Sequence, residues 1–152
     1  MYQEGQLLKF SPFEFKSGNA PKPKLYIVLK HIDDDVMMAS LPTSKDHIPT
    51  DVVITDGCVD IPERQVNAFV FSPDTQITES FRFPLPTFVY GECVDEYEQE
   101  YLDAMGAEVE DLGQMNSTLF HQMIDCIKKA ALLKRKYRKL LLITIRYRTC
   151  HR

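Results

Sequence analysis

The chain has 152 residues, 18 Lys and Arg against 22 Asp and Glu, a formal net charge of −4, and 44% hydrophobic against 26% charged residues. That balance excludes a disordered chain and a bundle of membrane helices, and predicts one soluble domain with a core of its own. The start, MYQEGQ, lacks the basic residues and apolar run of a signal peptide, and the run from Leu140 to Ile145 is too short to span a bilayer, so a cytoplasmic protein without membrane contact is the expectation.

Residues 1–91 read as mostly β. All nine prolines fall between Pro12 and Pro86, where β-branched and aromatic residues alternate in short runs between turn signals. The predicted strands are Gln6 to Phe10, Lys24 to Lys30, Val36 to Leu41, Asp51 to Thr55, Val66 to Phe71 and Thr87 to Tyr90. Short strands at this spacing predict a small, strongly bent sheet or barrel. Residues 92–115 form an acidic connecting segment, with a short helix expected from Asp95 to Met105. Residues 116–138 predict an amphipathic helix capped by Asn116 or Ser117. Its apolar stripe would be Leu119, Phe120, Met123, Ile124, Ile127 and Ala131. Residues 139–152 are a basic tail, in which LLLITIRYR reads either as a last strand or as a continuation of the helix.

Charge divides along the same lines. Residues 92–127 carry 10 acidic and no basic side chains, and residues 128–152 carry 10 basic and no acidic ones. Lys134, Arg135, Lys136, Arg138, Arg146 and Arg148 are therefore candidate contacts to nucleic acid or an acidic partner. Pairing with the chain's own acidic stretch is the plainer reading. The four cysteines, Cys58, Cys93, Cys126 and Cys150, show none of the close spacings of zinc or redox motifs and are expected to be reduced thiols. No metal or other cofactor is expected.

Phosphate-binding glycine loops, HExxH and GxSxG are all absent from the sequence, which gives no support to nucleotide hydrolysis, dinucleotide binding, zinc-protease or α/β-hydrolase chemistry. Asp33, Asp34 and Asp35 read as a solvated turn between two strands. In KPKLYIVLK, Leu25, Ile27 and Leu29 share one face and Lys24, Tyr26, Val28 and Lys30 the other. If the next strand returns through that turn, Thr43 and Ser44 arrive beside Lys24, with His47 following in the same loop. A cation beside hydroxyls and an imidazole suits a phosphodiester: the cation stabilises charge developing on phosphate oxygens, the hydroxyls orient them, and the imidazole moves a proton. Each residue also has a plain role, with Lys24 keeping a strand soluble, Thr43 and Ser44 capping a turn, and His47 lying on the surface. Phe10, Phe13 and Phe15 could stack bases or fill the core.

GQLLKFSPF, KPKLYIVLK and LPTS stand in the order and spacing by which the first fifty residues resemble the MazF/PemK-like toxin family. The resemblance implies an α+β fold, a small SH3-like β-barrel of the MazF/PemK/CcdB-like kind with a C-terminal helix packed on it. It also implies a metal-independent endoribonuclease acting on single-stranded RNA, a homodimer, and a cognate antitoxin as partner. Thr43 and Ser44 match the family's Thr/Ser position, whereas Lys24 and Leu25 stand where the family has Arg followed by Pro. Lysine offers a point charge without arginine's planar two-pronged fork. The alternative is a catalytically inactive barrel of the same fold that binds a protein or nucleic acid.

Overall fold

The computed structural model describes residues 2–150, with side chains described as far as Leu142. The alternating segment KPKLYIVLKHI forms β2 (Lys22–Ile32), which lies between β1 (Gln6–Phe13) and β3 (Asp35–Ser40). Both ladders are antiparallel, with Leu7 opposite Ile27 on one side and Tyr26 opposite Ser40 on the other. The β2–β3 connection is the acidic turn, where Asp33 takes a φ of 51°. Aspartate tolerates that left-handed conformation better than most residues.

Two further strands complete this sheet. β7 (Val94–Glu98) pairs with β3, and β8 (Glu108–Gln114) pairs with β1, giving the order β7-β3-β2-β1-β8. Alternate residues of β2 enter different cores. Leu25, Ile27 and Leu29 face the larger one with Leu7, Met37 and Ala39, while Tyr26 and Val28 join Leu8, Phe10, Phe13, Val36 and Met38. A second antiparallel sheet consists of β4 (Gly57–Ile61), β5 (Val66–Phe71) and β6 (Thr87–Tyr90) in sequence order. A backbone bond ties the second sheet to the loop after β3, where Phe88 N donates to Pro42 O at 2.9 Å.

The fold is α+β, and among the described residues three α-helices complete it. α1 (Gln99–Ala104) buries Leu102 in the smaller core beside Tyr97. α2 (Ser117–Ile127) begins at Asn116, whose side chain accepts from Leu119 N at 3.1 Å, and packs on β4, β5 and β6. α3 (Arg135–Cys150) follows a short connector and places Tyr137 and Leu141 in the larger core.

Several expectations are corrected. Asp51 to Thr55 forms no strand: Val53 is 81% exposed, and the Asp51 carboxylate is held by Arg64 at 2.9 and 3.0 Å instead of by a ladder. The strand lies later, at β4. The segment expected to be helical from Asp95 is β7 in its first half, because Val94 to Glu98 find an open edge on β3. Strand β8 escaped prediction because its acidic, largely exposed side chains carry little apolar alternation. The long helix is two helices. Ala130, not Ala131, is buried, and Arg138 donates from Nε to Lys128 O at 2.9 Å and from its terminal nitrogen to Ala130 O, which satisfies carbonyls freed where α2 ends. Gly91 lies against this junction, where an added Cβ would sit 2.3 Å from that of Ala130. The tail read as a possible strand is helical through Cys150; the side chains of Ile143, Ile145 and Tyr147 lie outside the described residues.

The cysteines also depart from expectation. Cys58 on β4 and Cys126 on α2 form a disulfide across 68 residues, while Cys93 is a free thiol. Local spacing could not reveal a pair brought together only when α2 docks on the second sheet. Asn67 braces the same contact, donating to Cys126 O at 2.9 Å and to Asp60 Oδ1 at 3.1 Å. Closing so long a loop restricts the unfolded chain by about 4 kcal/mol in the chain-entropy account. Cys126→Ser, or reduction of the native protein, is accordingly expected to lower unfolding free energy by several kcal/mol in urea titrations; equal midpoints with and without reductant would exclude this contribution.

Candidate functional site

The loop after β3 runs across the start of β2, because Leu41 N donates to Leu25 O at 3.0 Å and extends the pairing beyond the strand's end. It then turns at Lys45, whose carbonyl accepts from Ile48 N at 3.0 Å, and Ser44 Oγ accepts from Asp46 N at 3.2 Å. Tyr90 at the end of β6 anchors the turn from below. Its hydroxyl donates to Ser44 O at 2.6 Å, and its ring lies 4.5 Å from the His47 ring. Burial pushes the Tyr90 hydroxyl up to about 12, which keeps it a donor.

The result is a cleft of about 580 Å³ that brings Lys24, Thr43, Ser44 and His47 together, along with Lys9, Lys22 and Cys93. The four residues singled out in the sequence therefore share one site. Among the described residues, none of Lys9, Lys22 and Lys24 has a carboxylate partner. Burial holds the Lys24 ammonium below the ordinary lysine range, neighbouring Lys22 adds to the effect, and Cys93 opposes it. An anion in the cleft would relieve that cost.

Two residues that the sequence did not flag complete the site. After β6 the chain makes a helical turn, Gly91–Cys93, which carries Glu92 and Cys93 to opposite nitrogens of one imidazole. His47 Nδ1 is 2.9 Å from Glu92 Oε1, and Nε2 is 3.8 Å from Cys93 Sγ. A proton on Nδ1, donated to the carboxylate, leaves the Nε2 lone pair facing the thiol and the cleft. Burial raises the Cys93 thiol above the usual range, Glu92 adds to this, and Lys24 opposes it, so the sulfur rests as S–H. The adjacency of Glu92 and Cys93 was visible in the sequence, but not their convergence on a histidine some 45 positions earlier.

A second hollow of about 680 Å³ adjoins the first through Lys22, Lys24, Ser40 and Cys93, and is lined by Phe15, Tyr26, Tyr97 and Lys134. Of the aromatics considered for base stacking, Phe10 and Phe13 are fully buried and serve the core; only Phe15 reaches a cleft. The basic candidates are dispersed. Lys134 lies 5.6 Å over the Tyr137 ring, Arg135 is exposed, Lys136 pairs with Glu96, and Arg138 binds the backbone carbonyls described above. Lys16 similarly meets Asp95 at 3.5 Å. Arg146 and Arg148 lie on α3 with side chains outside the described residues.

Among the described residues no group of three or more His, Cys, Asp or Glu is placed to hold a metal ion, and no helix is long and apolar enough to cross a membrane. No protein-family model, curated protein or solved structure matches the chain. Because the Tyr90 hydroxyl carries the loop that bears Ser44 and His47, Tyr90→Phe is expected to cost about 1 kcal/mol. A shift of the urea midpoint at unchanged slope would report it; an unaltered midpoint would show that the loop does not depend on this bond.

Proposed function

We propose that the cleft binds and cleaves single-stranded RNA by a metal-independent route, as the resemblance to MazF/PemK-like toxins implies. The observation that carries this reading is one cleft holding three lysines that have no carboxylate partner among the described residues, beside an imidazole oriented by Glu92. That combination of positive charge and a held base suits cleavage of a phosphodiester backbone. The SH3-like barrel belongs to the same proposal. It is supported by the β1–β2–β3 meander and by the backbone bond from Phe88 to Pro42 that draws the two sheets together. A homodimer and an antitoxin partner follow from the resemblance alone.

In the proposed reaction His47 Nε2 accepts the proton of the ribose 2′-hydroxyl, and the freed oxygen attacks the adjacent phosphorus. Lys24, with Lys22 and Lys9 behind it, stabilises charge on the non-bridging oxygens while Thr43 and Ser44 orient them. The 5′-oxygen leaves with a proton from solvent, and the remaining strand ends in a cyclic phosphate. Glu92 stabilises the imidazolium formed on the way.

Incubation of purified protein with single-stranded RNA in EDTA should yield cyclic-phosphate ends. Lys24→Ala and His47→Ala should each slow cleavage by roughly a hundredfold. Intact RNA at high protein concentration would defeat the proposal; RNA retained on the protein without cleavage would establish the inactive, binding form of the fold instead. Lys24 adds a pH signature. Its ammonium loses charge at lower pH than an ordinary lysine, so RNA affinity should fall early on the alkaline side, and Lys24→Arg should abolish that fall. Fluorescence anisotropy across the pH range measures this, and identical alkaline limbs for the two proteins would remove Lys24 from phosphate contact.

A further inference from the structure

Cys93 is placed as a nucleophile. Its sulfur is the free thiol among the described side chains, half-buried, and it lies where the two hollows meet, so a small molecule entering either reaches it. His47 Nε2 stands 3.8 Å away with its other nitrogen 2.9 Å from the Glu92 carboxylate, which is the order nucleophile, base, orienting acid. The groups facing the sulfur from neighbouring elements set its electrostatics. Lys22 and Lys24 come from β2, Lys134 from the connector before α3, and Asp46 and Asp95 from the loop after β3 and from β7. Glu92 is engaged by His47, and Asp95 by Lys16 and the Tyr137 hydroxyl, whereas Lys22 and Lys24 have no carboxylate partner among the described residues. Against the Asp46 carboxylate, Lys22, Lys24 and Lys134 leave the charge offered to a visitor positive.

We propose that Cys93 is a site of S-thiolation by a low-molecular-weight disulfide that carries carboxylates. The disulfide docks with its carboxylates on Lys22 and Lys24. His47 Nε2 takes the proton from Cys93 Sγ, the sulfur attacks the nearer sulfur of the visitor, and the visitor's S–S bond breaks. The departing thiolate takes the proton back from His47. One thiol and one disulfide enter; one mixed disulfide on Cys93 and one small thiol leave, so Cys93 is oxidised at the expense of the visitor. Because the thiol rests protonated, the rate depends on His47 as a base. The adduct fills the junction of the hollows and removes the imidazole from other work. This regulation rests on the cleft of the proposed ribonuclease, but the exchange itself needs no RNA.

The test incubates the unreduced native protein at neutral pH with oxidised glutathione, an anionic probe, and in parallel with cystamine, a cationic one. Intact mass and peptide mapping follow the adduct. One glutathionyl group on Cys93 is expected, with glutathione disulfide the faster reagent, and Lys22→Gln with Lys24→Gln should erase that preference. His47→Ala should slow the reaction about tenfold or more. Glu92→Gln, which preserves shape, should also slow it and guards against a folding defect in the histidine variant. Absence of an adduct, labelling of another cysteine, an unchanged rate in both His47→Ala and Glu92→Gln, or equal rates for the two reagents would overturn the proposal. RNA cleavage is read separately. An adduct on a protein that never cleaves RNA would leave this site standing and remove the ribonuclease; cleavage without an adduct would do the reverse.

Discussion

Burial of β2 on both faces is the constraint from which the rest of the structure follows. Its side chains alternate between two cores, with Ile27 and Leu29 fully enclosed on one side and Tyr26 and Val28 on the other. A slip of one residue would exchange every one of these partners, so the register is strongly specified. The same ladders hold Phe10 opposite Lys24 and carry the chain after Ser40 back past the start of β2. Packing thus determines where Lys24 meets the loop of Ser44 and His47. The grouping of side chains in the cleft is a by-product of register.

The second half of the chain is attached by apolar burial of α1, α2 and α3 together with polar links. Few apolar side chains stand in Glu108 to Gln114 or in the start of α3, where the ladder to β1 and polar contacts add to the joining. Asp95 and Glu96 take Lys16, Lys136 and the Tyr137 hydroxyl, so part of the acidic stretch meets part of the basic one at the edge strand β7. Exposed pairs of this sort contribute little individually. The disulfide from β4 to α2, the Asn67 bonds and the close approach of Gly91 to Ala130 hold the junction more firmly. Persistent disulfides belong chiefly to oxidising surroundings, which bears directly on the expectation of a cytoplasmic protein.

At the cleft, the sequence was informative about β2 and its neighbours and silent about the turn after β6. The alternation of KPKLYIVLK, the acidic turn and LPTS were enough to place Lys24, Thr43, Ser44 and His47 near one another. Glu92 and Cys93 carried no such pattern. They looked like members of an acidic run and a set of scattered cysteines, and they acquire chemical meaning only because Tyr90 seats His47 above them. For the basic residues after Lys128 the plainer of the two readings, pairing within the chain, describes Lys136, which meets Glu96, while Arg138 is taken by backbone carbonyls.

By itself the amino-acid sequence determined the periods: the alternation that makes β1, β2, β3, β5 and β6, the aspartates that turn between β2 and β3, and the Asn116 cap with the apolar stripe of α2. These are local properties, set by side-chain direction and backbone preference over a few residues. Tertiary structure alone decided which cysteines pair, where the helical stripe breaks, that an acidic edge becomes β8, and that one histidine lies between a carboxylate and a thiol. The cysteine pair, β8 and the histidine contact depend on loops closing over 45 to 100 positions, for example Ser11 meeting Glu108 and His47 meeting Cys93. Such closures are chosen by the burial of whole faces, and no short stretch of residues encodes them.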